Sequence, residues 1–299
     1  MSQLKSRLGR TQGGMSAAVA DPSGSSMSWL FHTKSPIGMI WRHRELISQL
    51  VRRELTQRYK GSYLGVLWSY VTPLAMLAIY TLVFSVVLKV QWDVGPQDSA
   101  AGSFALVLFA GLIPFTVFSD VVSQSPNLIL AVPSYVKKVV FPLEVLPVVI
   151  VCAAIIQSLI SVAILVVAAL AVTGSIPATI VLLPLAYLPL VFLCLAAGWL
   201  LSALGVYLRD LRQAIPILVQ VLLFLSCLFY PVSAVPQSLR FLLFLHPLTV
   251  ILYSFRRAAV WGTSLEWVPW AEWTAITFAL AIAGWALFIR IKPGFADAI

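Results

Sequence analysis

The chain has 299 residues, of which 60% are hydrophobic and only 10% charged, and a formal net charge of +9. A soluble domain averages roughly 45–50% apolar and about 25% charged residues, so this composition excludes an ordinary water-soluble fold and points to the lipid bilayer. The basic residues do not gather beside base-stacking aromatics on a soluble segment, which excludes a nucleic-acid surface and leaves membrane topology and anionic headgroups as their meaning.

In chain order, residues 1–28 are rich in Ser, Gly, Ala and Gln and read as a disordered cytoplasmic tail. No apolar core follows their basic residues, so a cleaved signal peptide is not expected. Residues 29–61 read as a cytoplasmic interfacial segment. Within it Ile40, Ile47, Leu50, Val51 and Leu55 recur at helical spacing, with Arg42, Arg52 and Arg53 off that stripe, which predicts an amphipathic helix at the headgroup boundary. Such a helix either anchors the first span by its positive charge or meets a substrate there, and the two roles are compatible.

Residues 62–292 carry six apolar runs, at 63–88, 104–122, 143–172, 176–207, 214–230 and 270–289. About 20 apolar residues cross the hydrocarbon core as a helix, so these predict an all-α integral membrane fold with six transmembrane helices and a short cytoplasmic tail at 293–299. The segment 231–269 is too apolar for an ordinary loop, yet Pro231, Pro236, Pro247 and Gly262 break it. Two half-spanning or interfacial pieces fit it better than a seventh span.

With the amino terminus inside, sixteen of the twenty Lys and Arg residues fall on the cytoplasmic side, and only Lys89, Arg240, Arg256 and Arg257 fall outside. Both termini and two short basic loops are therefore expected in the cytoplasm. Cys152, Cys194 and Cys227 lie inside predicted spans and argue against a disulfide framework. Asp120 is the carboxylate placed within a span; near the cytoplasmic end, water or Lys137 and Lys138 are its expected partners.

The first of those loops, 123–147, reads SQSPNLILAVPSYVKKVVFPLEVLP. A turn needs only a few residues, whereas one this long with apolar Leu128, Ile129, Leu130, Val132, Val136, Val139 and Phe141 is expected to bury that surface on a partner. The plainer alternative is a basic turn whose prolines punctuate helices.

Several motifs share one family. They are Arg52-Arg53-Glu54, Arg58-Tyr59-Lys60-Gly61-Ser62, Leu64-Gly65, Trp68 and Pro73-Leu74, then Asn127-Leu128-Ile129 and Lys137-Lys138-Val139-Val140-Phe141-Pro142 with Glu144, Leu146 and Pro147, then Tyr207-Leu208-Arg209-Asp210-Leu211 and Tyr230-Pro231. In their order over residues 38–292 the chain resembles the polysaccharide-export permeases of the ABC-2 type, membrane subunits that export lipid-linked O antigens, capsular polymers and teichoic acids. His246-Pro247 stands where that family often has Asn-Pro, and the long amino-terminal tail is also a departure.

The resemblance implies a permease of the bacterial inner membrane that works as a homodimer with two copies of a nucleotide-binding ATPase and moves a polyprenyl-pyrophosphate-linked polysaccharide, O antigen first, outward. It implies ATPase coupling through Asn127, Leu128, Ile129, Lys137, Lys138, Phe141, Pro142 and Glu144, and a cytoplasmic loop element at Arg209 and Asp210. It also implies re-entrant external helices between spans five and six, with an external gate at Tyr230, Pro231, His246 and Pro247. Guanidinium groups match phosphate oxygens, so Arg52, Arg53 and Arg58, with Tyr59 and Lys60, are candidates to meet the carrier's pyrophosphate as the substrate enters. Aromatic faces pack on sugar C–H surfaces, which makes Tyr63, Trp68, Tyr70, Tyr80, Phe84, Phe115 and Phe118 candidate channel residues, Tyr70 and Tyr80 foremost. Bundle packing and interfacial anchoring are the alternative for each.

The chain lacks a G-x-x-x-x-G-K-[ST] loop, so no cofactor or metal is expected in it and ATP with Mg belongs to the partner ATPase. A small-molecule or lipid ABC-2 exporter is the nearest alternative. An ion-coupled secondary transporter would need paired intramembrane charges and repeat halves, and a membrane enzyme would need clustered acids or histidines.

Overall fold

The computed structural model describes residues 36–58, 60–87, 102–133, 141–230, 235–239 and 246–298. Every regular element among them is helical. Two short helices, α1 (Pro36–Arg42) and α2 (Arg44–Gln57), precede the membrane-type helices. As the apolar stripe predicts, α2 buries Ile47 and Val51 and leaves Arg52 and Arg53 exposed.

The apolar helices are α3 (Trp68–Tyr80), continued by a π turn Thr81–Val87, α4 (Gly102–Gln124), α5 (Val145–Thr173), α6 (Leu183–Tyr207), α7 (Leu211–Leu225) and α9 (Trp267–Ile291). Between the last two lies α8 (Pro247–Arg256), widened into a π turn Arg257–Trp261, and α10 (Phe295–Ala298) ends the chain.

Four helical stretches, 104–127, 145–173, 178–207 and 267–294, are long and apolar enough to cross a membrane. Those at 68–84 and 211–225 are shorter. The first starts later than its apolar run because Gly61 and Gly65 both adopt positive φ, and the chain between them turns instead of helix-forming. In the fifth, Ser226 ends α7 and Cys227 takes φ +54°, uncommon for a residue with a side chain, so the chain bends before Tyr230.

α4 is the hub. Residues Phe104 to Ala110 are buried without interruption, and α3, α5, α6, α7 and α8 all pack on this helix. A helix apolar on every side belongs in the middle of a bundle, which accounts for its position. The largest interface joins α6 and α9, where Gly284 lets the helices approach: a Cβ there would lie 2.9 Å from the Ala196 carbonyl oxygen.

Cross-contacts fix the directions. Glu144 meets Trp199 and Lys292, and Arg58 meets Asp120, at one end; Arg256 meets Val107 and Leu228 at the other. The helices α3, α4, α5, α6 and α7 therefore run alternately up and down, and α9 runs parallel to α6. Arg58, Arg209, Arg290 and Lys292 mark the first end, termed the basic end; α8 lies at the far end.

Candidate functional site

At the basic end, the two roots of the 123–147 segment are fixed to the bundle. The first root is the 3₁₀ turn Ser125–Asn127, where the Ser125 hydroxyl donates to the Val121 carbonyl at 2.6 Å. This turn lies against α6 at Gly205, whose absent side chain is required: a Cβ would sit 2.7 Å from Pro126 Cα. The second root is Glu144, whose carboxylate accepts from Lys292 Nζ at 2.6 Å and whose carbonyl accepts from the buried Trp199 Nε1 at 3.0 Å. Thus α4, α5, α6 and α9 all hold the segment.

Of the coupling candidates, Asn127 is exposed, Leu128, Phe141 and Pro142 are half-buried, and Ile129 is fully buried within the chain's own core. Lys137 and Lys138 lie outside the described residues. Arg209 and Asp210 are exposed at the α6–α7 turn.

The basic candidates near residues 52–60 divide in two. Arg52, Arg53 and Lys60 are exposed, whereas Arg58 turns back onto the bundle. Its Nη1 donates to Asp120 Oδ2 at 2.7 Å, and its Nε lies 3.4 Å from Glu54 Oε1. Gln124 Nε2 donates to the other Asp120 oxygen at 2.5 Å. Asp120 therefore finds these partners at the end of α2 and on its own helix. Tyr59 lies outside the described residues.

Below this pair opens a cleft of about 260 Å³ between α3, α4 and α5. Trp68 and Thr72 line it from α3, Thr116 and Asp120 from α4, and Gln157 and Ser161 from α5, among apolar neighbours such as Met76 and Leu112. Trp68 Nε1 donates to Ser62 Oγ at 3.0 Å, which holds the ring against the entrance of α3.

The aromatic candidates also separate. Tyr63, Trp68 and Tyr70 are exposed on this chain, and Tyr80 and Phe84 are half-buried. Phe84 packs on Phe104 at 5.5 Å and stacks on Phe229 at 6.1 Å between ring centres. Phe115 and Phe118 face the core.

At the far end the sequence reading missed the main feature. Arg256, assigned there as one external basic residue, is 1% exposed. Its Nε donates to the Val107 carbonyl at 3.2 Å, Nη1 to Cys227 at 3.1 Å and Nη2 to Leu228 at 2.7 Å. It thereby joins α4, the bend after α7 and α8. Gly111 makes the space, since a Cβ there would lie 2.8 Å from Nη2. These three acceptors are backbone atoms, which carry no residue-type signature; the Gly111 and Arg256 pair is the signal a sequence holds for them. Beside it, Arg257 pairs with Glu266 at 2.7 Å.

Tyr230 donates its hydroxyl to the Phe224 carbonyl at 2.6 Å, and Pro247 opens α8 directly after His246. His246 Nδ1 is buried with no hydrogen-bond partner among the described residues, and burial pushes its imidazole below the usual range. Pro231 lies outside the described residues. Among the described residues, no group of three or more His, Cys, Asp or Glu gathers to hold a metal ion.

A family model described as "ABC-2 type transporter" matches residues 45–260. The chain is 28% identical over 263 residues to the "O-antigen export system permease protein RfbA" of Myxococcus xanthus, covering 87% of this chain and 97% of that one. It is 26% identical over 256 residues to the protein of the same name from Klebsiella pneumoniae, covering 85% and 94%. With the "Polysialic acid transport protein KpsM" of Escherichia coli it shares 26% identity over 249 residues, covering 81% and 92%.

Proposed function

The chain belongs to the ABC-2 type transporter family, and from that premise we propose that it is the membrane permease of an ATP-driven exporter of a polyprenyl-linked polysaccharide, O antigen first among the polymers. Two copies, each with six spans and both termini in the cytoplasm, enclose the conduit and pair with two copies of a separate ATPase that binds ATP and Mg. The membrane is the bacterial inner membrane.

The observation that carries the mechanism is the double fixing of the 123–147 segment, at Pro126 against Gly205 and at Glu144 between Trp199 and Lys292. A segment rooted in four helices moves them together when a docked subunit pushes it, because packed interiors transmit displacement instead of absorbing it. Asn127, Leu128, Phe141 and Pro142, with Lys137 and Lys138, form the docking face; Ile129 and Glu144 fix it to the bundle.

Exposed Arg52, Arg53 and Lys60 meet the carrier's pyrophosphate, where guanidinium and ammonium charges match phosphate oxygens. Arg58 instead ties the interfacial helix to α4. Tyr63, Trp68, Tyr70 and Tyr80 offer aromatic faces toward the conduit. The segment from Tyr230 through His246 and Pro247 to α8 forms the external cap, with Arg256 fixing it. A small-molecule or lipid cargo is the alternative; the relatives' names favour the polymer.

Deletion of the subunit in its host tests this reading. Polymer is expected to vanish from the cell surface and accumulate inside on its carrier. Normal surface polymer in the deletion strain rejects the assignment.

A further inference from the structure

Polar side chains in the span region are costly unless paired, because hydrocarbon offers them no hydrogen bonds. Gln157 and Ser161 lie at mid-length of α5, Thr72 lies opposite on α3, and all three line the cleft. Among the described residues none of the three side chains has a hydrogen-bond partner. Ser158 and Thr116, by contrast, are already engaged, with Tyr187 and with the Ile113 carbonyl. An acyl chain leaves the three free groups unsatisfied.

The charge at the basic end of the cleft narrows the ligand. Arg58 stands between two carboxylates, Asp120 at 2.7 Å and Glu54 at 3.4 Å, so among the described residues of this contact a phosphate meets two negative charges and one positive. Yet Arg58 Nη2 is buried with no hydrogen-bond partner among the described residues, a donor available to an uncharged oxygen. Trp68 adds an aromatic wall suited to C–H faces. The volume of about 260 Å³ is just under the roughly 300–1,000 Å³ of drug-sized sites and suits a single ring.

We propose that this cleft, within one subunit between α3, α4 and α5, binds one neutral pyranose ring of the exported glycan through Gln157, Ser161, Thr72 and Arg58, with Trp68 as its apolar wall. The proposal rests on the polysaccharide-export reading. Sugar hydroxyls satisfy the free amide and hydroxyl groups, while the Asp120 carboxylate repels the carrier's phosphates and leaves those to Arg52 and Arg53 outside. The cleft therefore sorts glycan from carrier at the start of transit.

The test uses the full-length permease in its host. Gln157→Leu with Ser161→Ala removes polar atoms from the span region, so insertion is retained, and subunit abundance is measured alongside. Surface glycan is expected to fall about tenfold, as the loss of two net hydrogen bonds implies. Deletion of the subunit serves as the reference: if deletion leaves the glycan unchanged the export reading fails, whereas loss on deletion with normal export by the double variant overturns the cleft alone.

A second measurement separates sugar from phosphate. Ser161→Cys in a background with Cys152, Cys194 and Cys227 replaced by Ala is labelled with a maleimide in lipid nanodiscs. The host's own glycan, released from its carrier, is expected to slow labelling several-fold, and inorganic pyrophosphate to leave it unchanged. Protection by pyrophosphate, or by neither, overturns the proposal.

Discussion

The two ends of the bundle differ in their deepest charged contact. At the basic end, Arg58 with Asp120 and Lys292 with Glu144 are ion pairs of two side chains, each partly reached by solvent. The far end has such a pair too, Arg257 with Glu266, but beside it the Arg256 guanidinium is sunk among backbone carbonyls of α4 and of the bend after α7. Partly solvated pairs are individually weak and can be exchanged during a conformational cycle. A buried charge held by carbonyls is costly to disturb and makes a fixed joint. The difference assigns movement to the basic end and rigidity to the far end.

That contrast breaks first at Arg256. Arg256→Met leaves three carbonyls without this donor, at a cost of about 1–3 kcal/mol for each one left unpaired, read as a sharp fall in the detergent-extracted protein's melting temperature. Gly111→Ala, which intrudes on the same guanidinium, should lower it in the same direction by less. A variant at Arg256 as stable as the parent removes the fixed joint from the account.

The next effect is at the first root of the 123–147 segment. Gly205→Ala sets a methyl against the Pro126 backbone, which cannot rotate away, so about 1–3 kcal/mol is lost and export falls with it. Weaker still is Lys292→Gln. Its partner Glu144 is the better buried of the two, and a cost of about 1 kcal/mol is expected. Export should fall by more than this stability loss alone produces, measured as surface glycan per folded subunit. The reversed pair Lys292→Glu with Glu144→Lys should recover part of it.

The smallest effect concerns pH at the far end. His246 is held neutral by burial, so its folded pKa lies below the unfolded value near 6.5. The stability this neutral form supplies is present above about pH 6.5 and declines as pH falls toward the folded pKa. His246→Gln should flatten that slope in a pH series of melting temperatures.

How much of this was legible in the sequence depends on the kind of partner each residue has. The long helices α4, α5, α6 and α9 were legible because unbroken apolar runs leave a chain in lipid no other option. The amphipathic α2 followed from spacing alone. Arg58, a partner of Asp120 that the sequence reading did not name, lies 62 residues earlier, and long-range pairing has no local signature. Arg256 was hidden for a different reason, since the Val107, Cys227 and Leu228 acceptors are main-chain atoms of a kind present at every position. The late start of α3 at Trp68 follows from the positive φ of Gly61 and Gly65, and composition does not distinguish those turns from a first helical turn.

The central claim is that a separate ATPase drives this subunit through the 123–147 segment. Replacing exposed Asn127 with a photo-reactive benzoylphenylalanine, in a permease still able to export glycan, tests it most directly. Irradiation of intact cells should join the permease to its nucleotide-binding subunit. An export-competent variant that yields no such adduct, or an Asn127→Cys variant whose thiol is labelled by a membrane-impermeant maleimide from outside the cell, contradicts the account.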